Sequence, residues 1–119
     1  MTIIAELAKI LLWACIEDYA GLWELLWEVN SKFPEYSESE RKHLSLEVAK
    51  LLLERGGIKL YRCQESYGNL SELDLESARA VLNGESNWEA PDFEGISIRA
   101  GATKKGEALY QASTFDSFC

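Results

Sequence analysis

Residues 101–106, GATKKG, put two lysines and a threonine between glycines separated by four residues, the raw material of a phosphate-binding loop. Such a loop needs Lys and then Ser or Thr directly after the second glycine, so that the lysine reaches the terminal phosphates and the hydroxyl holds magnesium. Glu107 and Ala108 occupy those places. Thr103 instead precedes a run in which Ala108, Leu109 and Ala112 recur at helical spacing, so its hydroxyl is expected to cap a helix by accepting from the free donors of the first turn. Lys104 and Lys105 then sit beside the positive end of a helix dipole, where either a bound phosphate or Glu107 would compensate them.

Other chemistry is sparsely supplied. His43 is the single histidine, and no Gly-x-Ser-x-Gly stretch is present, so any Ser or Cys triad would depend on that one imidazole. His43 and Glu47 share a helical face at i, i+4, yet two ligands do not make a zinc site; an exposed side-chain pair is the expectation. Glu24 and Glu28 have the same spacing and read as a solvated face rather than an acid–base pair. The three cysteines, Cys15, Cys63 and Cys119, form no Cys-x-x-Cys pair; neither a disulfide framework nor a zinc ribbon is suggested, and a reducing cytoplasm is the expected home. No catalytic residue, cofactor or metal is assigned, and a non-enzymatic protein is expected.

Four tryptophans in 119 residues are many, and Trp, Tyr and Arg dominate interface hot spots. Trp13 reads as core. Trp23 and Trp27 fall where the apolar stripe of a helix meets its acidic face, which makes Trp23, Glu24, Trp27 and Glu28 the candidate protein-interaction surface. Trp88, beside Pro91, is expected to pin its segment to the body.

These residues must be positioned by one domain spanning residues 1–119, given 47% hydrophobic content and no linker or repeat. Twenty acidic residues against twelve basic leave a net charge of -8, a field that attracts cationic partners and repels polyanions. The greasy N-terminal stretch has only seven uncharged residues, Ile10 to Ile16, between charges; that is too short to span a bilayer, and it lacks a basic n-region and a cleavage signal. It predicts a mostly buried first helix.

Asp18 is expected to cap a second helix carrying the stripe Leu22, Leu25, Leu26 and Val29. Ser37 and Glu40 have the spacing of a capping box opening a third, which runs through Leu44, Val48, Leu51 and Leu52 until Gly56 closes it in the left-handed conformation. Period-2 alternation marks strands at IKLYRC and ISIRA. Between them lie a short helix from Asp74 to Leu82 and a loop. The fold class is therefore α+β: three N-terminal helices, a two- to three-stranded antiparallel hairpin with a helical insert over residues 65–95, and a short C-terminal helix.

That order, carried by SLEVAKLLLERGGI, IKLYRC and ISIRAGATKKGEALY over residues 18–112, resembles a winged-helix domain. The resemblance implies a recognition helix at the third helix, a wing at the hairpin, and DNA regulation as a dimer through the first helix. Its phosphate-contact candidates are Arg41, Lys42, Lys50, Arg99, Lys104 and Lys105, with Arg55 nearby. The solvent arc of the third helix, however, holds His43, Glu47, Lys50 and Glu54 and sums to -1, which weakens attraction to phosphate. The favoured expectation is a small acidic module that binds another, basic, protein in the manner of an immunity protein, an antitoxin or a regulatory adaptor; DNA regulation is the alternative, and a homodimer is compatible with both.

Overall fold

A computed structural model describes residues 3–64, 69–92 and 95–112; Cys119 and parts of the expected insert, 65–68 and 93–94, lie outside them. Helix α1 (Ile3–Glu17) buries Ala5, Leu7, Ala8, Leu11, Leu12 and Cys15. Two residues, Ala20–Gly21, form strand β1, and α2 (Leu22–Lys32) follows at once. Helix α3 (Glu38–Glu54) opens on the expected capping box: Ser37 Oγ accepts from Glu40 N at 3.1 Å, and the Glu40 carboxylate accepts from Ser37 N at 2.9 Å. That arrangement holds the Glu40 carboxyl below its usual range, chiefly through the Ser37 backbone donor. The helix closes at Gly56, whose φ of 75° is the left-handed conformation that glycine adopts without a Cβ clash.

Strand β2 (Ile58–Gln64) pairs antiparallel with β3 (Asn69–Glu72) on one side and with β4 (Ile96–Ala102) on the other. Between β3 and β4 come α4 (Leu75–Leu82) and a 3-10 turn at Glu85–Trp88; α5 (Lys104–Gln111) follows β4. Among the described residues the chain has five α-helices and one four-stranded antiparallel sheet in the order β1-β4-β2-β3. Ile58, Leu60, Ile98 and Ala100 join α1, α2 and α3 in the core. Leu7, Leu11, Leu12, Leu22, Leu25, Leu52 and Leu60 are all but inaccessible, each such burial being worth about 1.5–3 kcal/mol.

The sheet corrects the expected hairpin in two ways. The insert contributes an edge strand, β3, whose four residues are all exposed and whose place is set by cross-strand pairing rather than by an apolar face. The EDYAG stretch contributes β1, so α2 is capped at Gly21 and not at Asp18, whose carboxylate accepts instead from the neighbouring Tyr19 N at 2.7 Å. Glycine is required there because a Cβ at Gly21 would lie 2.1 Å from the Trp23 ring. Asp74 caps α4, its carboxylate accepting from Ser77 N at 2.8 Å, and that donor holds the Asp74 carboxyl below its usual range. Trp88 is half-buried and donates from Nε1 to Leu82 O at 2.9 Å, which ties the 3-10 turn to the end of α4.

Candidate functional site

The two chemically suggestive stretches resolve in opposite ways. Thr103 caps α5 as expected, its Oγ1 accepting from Gly106 N at 3.0 Å. The same hydroxyl donates to Gly56 O at 2.6 Å, and Thr103 N donates to Gly57 O at 3.0 Å. The donor-rich start of α5 is thereby set against the acceptor-rich end of α3, so the two opposite dipole ends compensate each other. A Cβ at Gly106 would fall 2.0 Å from Gly57 O; the start of α5 packs directly on the backbone that closes α3. The Lys105 stem passes over Gly56, its Cδ 3.6 Å from where a Cβ would be, which brings that cation to the favourable C-terminal end of α3 rather than leaving it against a bare positive pole.

The four interaction candidates on α2 separate into two pairs. Trp23 is 7% exposed and Glu24 is half-buried. The Arg99 guanidinium lies over the Trp23 ring, 5.1 Å from its centroid, while Nη1 donates to Glu24 Oε1 at 3.4 Å and to Tyr19 O at 2.8 Å. Glu24 Oε1 also accepts from Gly21 N at 2.9 Å. This cluster locks β1 and the start of α2 onto β4, and it is structural. Trp27, at 58% exposure, and Glu28 face solvent one turn later.

Trp13 corrects the sequence expectation. It is 46% exposed, because the core takes the opposite side of α1 through Leu7, Leu11 and Cys15 while Trp13 turns toward α5. There it stacks on Tyr110, ring centroids 5.2 Å apart and planes 27° from parallel, and Lys9 Nζ lies 5.8 Å from the Tyr110 centroid. These residues line a groove of about 540 Å³ between α1, α2 and α5. Glu6, Ile10 and Glu17 continue the α1 wall, and Glu28 and Lys32 form the α2 wall. The signal for Trp13 was present in the sequence: Glu6, Lys9, Trp13 and Glu17 recur at helical spacing and make a polar stripe on an otherwise apolar helix.

No known protein family, curated protein or solved structure matches this chain.

The nucleic-acid candidates are scattered. Arg41 Nε donates to Asn30 Oδ1 at 2.8 Å and its Nη1 to Tyr36 O, bracing α2 against α3. Arg99 belongs to the Trp23 cluster. Lys42 pairs with Glu38 at 3.6 Å within the first turns of α3, and Lys50 is half-buried farther along that helix. Lys104 and Lys105 lie beyond the far end of α3, and fourteen residues at about 1.5 Å each put roughly 20 Å along its axis between Arg41 and Arg55. A smaller cleft of about 360 Å³, lined by Leu26, Lys42, His43, Leu82 and Trp88 among others, opens between α2, α3 and α4. His43 is exposed at its rim and Glu47 is half-buried. Among the described residues no group of three His, Cys, Asp or Glu could hold a metal ion, and no helix is long and apolar enough to cross a membrane. Burial pushes the Cys15 thiol up to about 12, so at neutral pH it is a protonated core group rather than a nucleophile.

Proposed function

We propose that this protein is a small acidic interaction module that docks a cationic protein partner in the groove between α1, α2 and α5. The observation that carries the reading is the half-exposed Trp13–Tyr110 stack. A fold that buries Trp23 and half-buries Trp88 leaves an aromatic pair in a concave, charge-rimmed surface, the kind of place where interface hot spots concentrate. Trp27 is exposed on α2, the helix whose Glu28 and Lys32 line the groove, and the net charge of -8 favours and steers a basic partner. Masking of a basic toxin or effector, as an immunity protein or antitoxin does, is the role we favour within this class.

DNA regulation through a winged-helix arrangement has less support. Helix α3 packs against α1, α2, α4 and β2, and Arg41 and Arg99 are engaged inside the fold.

A photo-crosslinking residue at position 13 or 27, expressed in cells that make the protein, tests the proposal. A basic protein should be captured at both positions and not from a control site at Leu75 on α4. Equal capture at Leu75, or none at 13 and 27, rejects the groove as the docking surface.

A further inference from the structure

We infer that the groove recognises an arginine side chain of its partner, the guanidinium stacking on the open face of Trp13 between the carboxylates of Glu17 and Glu28. The inference rests on the proposed partner-binding role and adds the chemistry that the partner must present.

Three observations converge on it. Trp13 stacks on Tyr110, is still 46% exposed and lines the groove, so part of the indole stays accessible to a ligand, whereas Lys9 already lies over Tyr110. Glu17 stands one helical turn after Trp13, and Glu28 faces the groove from α2. Among the described residues the ion pairs engage Glu24, Glu38, Glu54 and Glu72; Glu17 and Glu28 belong to none of them. Finally, the fold already uses this combination internally. The Arg99 guanidinium carbon lies 5.1 Å from the Trp23 ring centroid while its Nη1 reaches Glu24, the same three residue types, with the arginine supplied by β4. In the groove the tryptophan and the carboxylates are present beside two lysines, Lys9 and Lys32, but no arginine lines it; the guanidinium has to come from outside.

Arginine fits better than lysine for a geometric reason. A planar guanidinium presents its face to an aromatic ring and its edge, as a fork of N–H donors, to a carboxylate at the same time. An ammonium is compact and strongly hydrated, and gains less from the ring once its carboxylate contacts are made.

The probes are tetra-arginine and tetra-lysine peptides, titrated into the folded protein while the four indole Nε1–H resonances are followed by NMR. Trp13 is assigned through Trp13→Phe, and unchanged thermal melts certify that the variants fold. Tetra-arginine should bind about tenfold more tightly than tetra-lysine, with the largest shift at Trp13. Trp13→Ala should abolish the preference and leave weak, salt-sensitive binding of both peptides. Glu17→Gln with Glu28→Gln should lower the affinity for tetra-arginine severalfold. Equal affinity for the two peptides, no binding of either, or an arginine preference that survives Trp13→Ala overturns the guanidinium assignment. The partner-binding role stands or falls separately, on the cross-links at position 13.

Discussion

The junction of α3 with α5 and the groove beside α1 differ in what they leave uncommitted. At the junction, Thr103, Gly106, Gly56 and Gly57 satisfy one another's backbone donors and acceptors, so a stretch that reads as a ligand loop has little left to offer a ligand. In the groove, Trp13, Glu17 and Glu28 carry surface and charge that the fold does not use. Residue type indicates what a segment could bind; whether its groups are already spent on the chain itself decides whether it does.

The sharpest way to break the comparison is Gly106→Ala. In an ordinary helix that change stabilises by about 0.5–1 kcal/mol. Here the new methyl would meet Gly57 O, part of the backbone that closes α3, and overpacking of this kind costs about 1–3 kcal/mol. Thermal unfolding should show a clear loss; a gain would mean that the junction is looser than described. Thr103→Ala comes next, with a loss of about 1–2 kcal/mol by chemical denaturation, since one hydroxyl both caps α5 and donates to α3.

Glu24→Lys and Glu28→Lys divide the second helix in the same terms. The first change breaks the contacts of Glu24 with Gly21 and Arg99 and puts two cations together; it should cost about 1 kcal/mol. The second should change stability by less than about 0.5 kcal/mol and weaken partner capture instead. Equal effects on stability from both would show that the division is misplaced. The smallest expected effect is none: ATP or inorganic phosphate should leave the melting temperature unchanged, and a saturable rise that is lost in a Lys104→Ala, Lys105→Ala double mutant would reopen the phosphate reading.

Local devices were legible in the sequence. Ser37 with Glu40, Thr103 and Gly56 each act within a few residues, so their spacing alone announces helix ends. Strand β2 was legible because the core covers one of its faces and leaves alternation; β4 alternates in residue type through Ile96, Ile98 and Ala100, although Ser97 and Gly101 on its other face are buried as well. Strand β3 was not, since Asn69–Glu72 is exposed throughout and acquires its form from pairing with β2. β1 is two residues long, below any period. The site was half legible: Trp27 and Glu28 lie on the surface as expected, whereas Trp23 is buried because Gly21 lets its ring fold back and Arg99 covers it. Helix α1 marks its open side with the polar stripe Glu6, Lys9, Trp13 and Glu17, but a tryptophan on so apolar a helix reads by residue type as core.

The sheet order also sets a timetable for the chain. Strand β4 lies between β1 and β2, so residues 96–102 bridge partners that left the ribosome long before them. Until they emerge, β1 has nothing to pair with, β2 exposes one edge, and Ile58 and Leu60 lack the Ile98 and Ala100 that complete their layer of the core. Loop-closure entropy across the intervening segment must be overcome before those pairings are gained. A nascent chain stalled before Ile96 would therefore hold helices and a β2–β3 hairpin without a closed core, and would be open to proteases and to pairing with other chains along the β2 edge.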